Sequence, residues 1–111
     1  MQSINPATGQ ITRSFSIWQA DQINTALDQV ESAQAGWAGL SYEQRGQCFR
    51  QLAQIFRQNS ESYAYLITEE MGKLLREARA EIEKCAMGCE HYADHAVSYL
   101  RDEVIASDAR R

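Results

Sequence analysis

The spacing of apolar residues changes character once along the chain. Near the start, Ile11, Arg13, Phe15 and Ile17 lie at a period of two, which is the side-chain period of a strand. Before them, Pro6 presets φ for a turn and Gly9 is free to take positive φ at its exit. The pattern predicts a hairpin with strands near 2–5 and 10–17. Two strands are marginal by themselves, so this hairpin needs a surface to lie against, or else is displaced or pairs with another chain.

From about residue 20 the spacing becomes three-or-four. Ile23, Leu27, Val30, Ala33 and Trp37 form one stripe, with Asp21 at the start as a cap or first-turn charge and Gly36 and Gly39 at the end. Ser41 and Gln44 have the spacing of a capping box. The helix they open carries Cys48, Leu52 and Ile55, flanked by Phe49 and Phe56. Asn59-Ser60 breaks it and caps a third helix bearing Tyr63, Leu66, Ile67 and Met71, which Gly72 stops in the left-handed region. A fourth runs on through the seam Ala78, Ile82, Cys85, Cys89, Tyr92, Ala96 and Tyr99. Helices are thus predicted near 20–37, 42–58, 60–71 and 74–100. The fold class is mostly α, a hairpin over 1–18 followed by about four helices over 19–111.

Composition narrows the function more than the fold. A chain of 111 residues holds one small domain. Eleven basic against 15 acidic side chains, net -4, leave no basic cluster to neutralise nucleic-acid phosphates, and Arg110 and Arg111 are too few to alter this. No stretch has the length of a membrane span. The opening residues lack the basic start and apolar run of a secretory signal. Three cysteines, an odd number, argue against a disulfide framework. A reducing cytoplasm is therefore expected.

The densest candidate chemistry is Cys85, Cys89, His91 and His95. Zinc accepts two thiolates and two imidazoles, but all four must reach one point. At about 100° per residue, with Cys85 at zero, Cys89 lies at about 40°, His91 at about 240° and His95 at about 280°. One straight helix does not bring these pairs around a single ion. A redox role is also disfavoured, because the usual C-x-x-C sits at a helix start, whereas these cysteines lie deep in a helix. The expectation is cysteines on the apolar seam and histidines on the polar flank or against a neighbouring element. Adjacent Glu69 and Glu70 do not face each other on a helix. Gly72-Lys73 supplies only two elements of a phosphate loop. The residues predict no catalytic, cofactor-binding or metal site.

The order of several segments adds a resemblance. Ser3-Ile-Asn-Pro-Ala-Thr-Gly9, Ala35-Gly-Trp37, Ser41 through Arg45, Thr68-Glu-Glu-Met-Gly-Lys73, Glu77 through Ala86 and Tyr92-Ala93 occur in sequence. Together they resemble the amino-terminal segment of the aldehyde dehydrogenase superfamily, on its succinate-semialdehyde branch. One departure is Leu74, where many relatives carry proline. The resemblance implies a segment of the α/β aldehyde dehydrogenase fold that packs on the cofactor-binding domain. The family's nucleophilic cysteine, oxyanion asparagine, glutamate base, glycine-rich stretch and P-W-N-F-P motif all lie beyond the matched part. Cys48, Cys85 and Cys89 do not match the surroundings of the catalytic cysteine. The resemblance thus implies a piece that is inactive alone and binds no NAD or NADP itself, although the full-length family uses one of them. Its implied partner is the remainder of such an enzyme or a second copy; a helical interaction module derived from the family is the alternative. The long helix approaches the substrate tunnel in that family. Lys84 and Arg79 are therefore candidates for favouring an anionic aldehyde, against the alternative of solvated charges on an outer helix face.

Overall fold

The computed structural model describes residues 1–106; Arg110 and Arg111 lie outside them. Two strands, β1 (Gln2–Ile4) and β2 (Ile11–Ser14), are followed by α1 (Ala20–Ala38), α2 (Tyr42–Gln58), α3 (Ser60–Met71) and α4 (Leu75–Tyr99). The helix bounds fall within a residue of those predicted from spacing and caps.

The strands pair antiparallel, Gln2 opposite Ser14 and Ile4 opposite Ile11, with an irregularity between Ser3 and Ile4. The turn is held by Asn5, whose Oδ1 accepts from the Ala7 and Thr8 N–H groups at 2.9 and 3.3 Å. Gly9 takes φ 71° at its exit. β2 is shorter than the predicted 10–17, and Phe15 and Ile17 are exposed. The ladder bonding ends at Met1 and Phe15, which exchange bonds of 3.0 and 2.8 Å, and past them β2 has no strand opposite it among the described residues. The hairpin does find a support, since the Pro6 ring sits against Gly72 so closely that a Cβ on Gly72 would meet Pro6 Cγ at 3.0 Å.

Gly72 closes α3 at φ 70°, its N–H donating to the Thr68 carbonyl at 2.9 Å. Ser41 and Gln44 form the predicted box, with reciprocal bonds of 2.8 and 3.2 Å. Two expected caps work differently. Asn59 donates its side-chain amide back to the Ile55 carbonyl at 2.9 Å, closing α2 rather than opening α3. Gly36 lies inside α1, and Gly39 caps it in the right-handed region, at φ -74°.

The packing is where pattern and structure part. α2 and α3 lie on α4, and the buried residues are Gly46, Ala53, Ala64, Ala78, Ile82, Ala86 and Ala93. On α4 the expected seam holds at Ala78 and Ile82, which are buried, and farther along the buried face moves to neighbouring positions. Ala86 and Ala93 face inward, Cys89 is half-buried, and Cys85, Tyr92 and Tyr99 are exposed. On α2, Gly46 and Ala53 face α4, whereas Cys48, Leu52 and Ile55 are exposed on the opposite side. Small residues let helix backbones approach closely, so the helices meet on their alanine faces and leave the bulky ones outward. A helix apolar on two faces belongs between two layers.

α1 carries its stripe on one face as predicted, yet buries no residue, and Val30 is 68% exposed. The radius of gyration is 20.2 Å, against about 13 Å for a compact chain near this length. Among the described residues, no helix is long and apolar enough to cross a membrane.

Leu74 stands just before α4 with φ -60° and ψ 133°, and among the described residues its N–H has no partner. Proline adopts that φ without strain. Leu74→Pro is therefore expected to stabilise the chain by about 0.4–1 kcal/mol through the unfolded state, read as a higher urea midpoint.

Candidate functional site

Polar geometry concentrates on the long flank of α4. Arg57, in the last turn of α2, reaches across to two of its carboxylates. Nε and Nη2 donate to Glu83 at 3.1 and 2.9 Å, and Nη2 also donates to Glu90 at 2.8 Å. Two turns earlier, Arg50 donates to Asp94 at 2.8 Å and to Glu43 at 3.1 Å. On α3, Glu61 accepts from Arg79 at 2.8 and 2.7 Å in a two-bond fork. The hydrogen bonds from Arg57 hold the Glu90 carboxyl below the ordinary glutamate range, and those from Arg79 do the same for Glu61. These are ionised acceptors that pin helices together, not proton donors.

Their stabilisation is full above about pH 4.3, the ordinary glutamate value, and is lost as pH falls through the lowered values. Arg57→Ala is expected to lower the melting temperature at neutral pH, and more at low salt than at high. On acidification the variant should lose less than the parent. Thermal melts across a pH series make that comparison.

Arg79 and Lys84 do not come together. Five residues apart, they are separated by roughly 140° around the helix. Arg79 is committed to Glu61, while Lys84 is exposed beside Lys73, Glu77 and Glu81 in a shallow depression. Lys73 itself pairs with Glu81. Among the described residues Lys84 makes no ion pair, which leaves its ammonium available to an anion. His91 and His95 are exposed on the flank as expected. Among the described residues, no group of three or more His, Cys, Asp or Glu side chains is placed to hold a metal ion.

Spacing and motifs do not single out Arg45 as a site residue. It lies in an apolar cleft of about 250 Å³ walled by Trp37, Phe49, Tyr92 and Leu100. Its guanidinium lies 4.8 Å over the Tyr42 ring, and its buried Nε has no partner among the described residues. A second cleft, between the hairpin turn and the α3–α4 junction, holds the likewise unpartnered Thr68 hydroxyl. The bulky residues flanking Arg45 were visible as apolar positions, but only the approach of α2 to α4 makes them one cleft.

A dinucleotide pyrophosphate needs a glycine-rich turn at a helix start. Each helix here instead carries an acid in its first turn, Asp21, Glu43, Glu61 and Glu77. That charge repels a phosphate, so the residues present do not fit NAD(P).

Comparison with known proteins places this arrangement. The chain is 42% identical, over 96% of its length, to a probable succinate-semialdehyde dehydrogenase (NADP+) of Synechocystis, of which it covers 24%. It is 37% identical, over 91% of its length, to a succinate semialdehyde dehydrogenase (NAD(P)+) of Escherichia coli, of which it covers 22%. Among solved structures it superimposes on succinic semialdehyde dehydrogenase from Streptococcus pyogenes, in complex with NADP+, with a TM-score of 0.88. That match has 29% identity and covers 96% of this chain and 24% of the other. The chain spans about a quarter of the length of the curated relatives it matches, and it corresponds to their amino-terminal part. The pattern of the aldehyde dehydrogenase family matches residues 1–111 from end to end, and the chain belongs to that family.

Proposed function

We propose that this chain is the amino-terminal segment of a cytoplasmic NAD(P)-dependent succinate-semialdehyde dehydrogenase, catalytically silent until the rest of the fold covers it. The complete enzyme converts aldehyde, NAD(P)+ and water to carboxylic acid, NAD(P)H and a proton. A thiol nucleophile and the dinucleotide site come from outside these residues. One observation carries the reading: α1 and the outer face of α2 expose Leu27, Val30, Leu52 and Ile55, faces suited to burial between layers. The names of the Synechocystis and Escherichia coli relatives supply the substrate class.

The chain's own part is structural and electrostatic. α4 is held against α2 and α3 by the arginine clamps. Lys84 offers a free cation to the distal carboxylate of an acidic aldehyde, and Arg79, neutralised by Glu61, contributes more weakly.

The test compares this chain alone with a chimera in which it replaces the matched segment of the Synechocystis relative. Reduced nicotinamide should form from succinate semialdehyde only with the chimera. Turnover by the 111 residues alone, or a folded chimera inactive on every aldehyde, overturns the proposal. In the chimera, Lys84→Ala should raise KM for succinate semialdehyde a few-fold relative to a neutral aldehyde, an effect that salt screens. An unchanged ratio removes Lys84 from the site. Alone in solution, the exposed faces should make the apparent mass rise with concentration in sedimentation.

A further inference from the structure

Near the carboxyl end of α4, three rings are stacked along one edge of the helix. The His91 and His95 ring centroids are 4.4 Å apart, with planes inclined by 18°. Tyr99 continues the stack 5.8 Å from His95. The hydrogen bonds divide the ring nitrogens unequally. His95 Nδ1 lies 2.8 Å from the His91 carbonyl, and because a carbonyl only accepts, Nδ1 carries the proton and Nε2 keeps its lone pair. His91 Nε2 lies 2.9 Å from the Tyr99 hydroxyl; with Nε2–H as the donor, His91 Nδ1 keeps its lone pair, and among the described residues it has no partner. Each imidazole therefore has one nitrogen tied to an orienting partner and the other free. Metal-ligating histidines show this same division, the second nitrogen fixing the tautomer and ring direction.

The spacing suits a chelate. Histidines one turn apart lie on one helix face, about 6 Å apart along the axis, and that i, i+4 pair is a recurrent zinc-binding element on helices. Both residues are exposed, so the flank is open to a hydrated ion. The adjacent carboxylates are already committed, Glu90 to Arg57 and Asp94 to Arg50. The donor set is therefore two imidazole nitrogens with water, which favours nickel, copper or zinc over calcium or magnesium.

We propose that His91 and His95 form a two-point chelating site for a divalent first-row transition ion, with Tyr99 as the residue that orients His91. This construction differs from the four-ligand site excluded above, because the cysteines take no part. Binding tilts the stacked rings toward each other and staples the last two turns of α4.

Nickel is the appropriate probe, since it favours imidazole and does not oxidise thiols as copper(II) does. Calorimetric titration of the full chain, with cysteines alkylated to remove thiolate competition, should give one nickel ion per chain, reversed by EDTA. His91→Ala and His95→Ala should each abolish binding, and Tyr99→Phe should weaken it by about tenfold. These positions are exposed, so the variants should keep the parent's circular dichroism. Added nickel should raise the melting temperature of the parent only. Absence of binding to the parent, or binding that survives in the double variant His91→Ala/His95→Ala, overturns the proposal.

Discussion

Ile82→Ala is expected to destabilise the chain by about 3 kcal/mol, within the 2–5 kcal/mol range of buried Ile→Ala changes. Ile82 is 7% exposed and, among the described residues, is the one large side chain in the core; every other buried position there is alanine or glycine. It fills the space that the alanines of α2, α3 and α4 leave between them. Truncation removes three carbons and leaves a hollow that the surrounding alanines are too short to fill. A urea titration followed by circular dichroism measures the effect. The midpoint should fall while the slope stays constant, since the area exposed on unfolding scarcely changes. A loss under 1 kcal/mol would mean that the helices close over the gap.

Gly46→Leu is expected to cost a similar amount, about 2–3 kcal/mol, for the opposite reason. A Cβ at Gly46 would lie 3.1 Å from the Ala93 carbonyl oxygen and 3.5 Å from its Cα. Both are backbone atoms of α4, which cannot rotate aside as a side chain would. A leucine must push the two helices apart, drawing Arg50 away from Asp94 and reducing contact along the seam. Gly46→Ala separates the terms. It gains up to about 1 kcal/mol of helix propensity and meets the same oxygen with one methyl, so its net change should be small beside that of leucine. If the leucine variant melts like the parent, α2 and α4 do not lie as close in solution as they do here.

The elements were legible in the sequence because their ends are local. Ser41 and Gln44, or Gly72 after Met71, fix a helix terminus through neighbours a few positions away, and the structure agrees to within a residue. The choice of face was not legible. α2 has a bulky apolar side, Cys48, Leu52 and Ile55, and a small one, Gly46 and Ala53. Hydrophobic weight points to the first. Close approach of backbones selects the second, and that preference appears only when the partner helix has alanines at matching heights, as Ala86 and Ala93 provide. Cys85 falls on the seam by spacing for the same reason, yet it is exposed. The clamps were equally hidden: Arg57 meets Glu83 and Glu90 across 26 and 33 positions, and no spacing rule over a single helix finds such pairs. The histidine flank was legible, because angular position on one helix is again a local property.

The division between the alanine-faced bundle and the unburied α1 bears on how the chain is made. The contacts that join α2, α3 and α4 span a few tens of residues, short enough for low loop-closure cost and fast formation. Synthesis adds roughly 5–20 residues per second, so this bundle can consolidate on the timescale on which its own residues are made. α1 has no such opportunity. Its stripe, Leu27, Val30 and Trp37, stays wet until something covers it, which makes it the natural landing place for a chaperone on the nascent chain and the stretch where aggregation would first start.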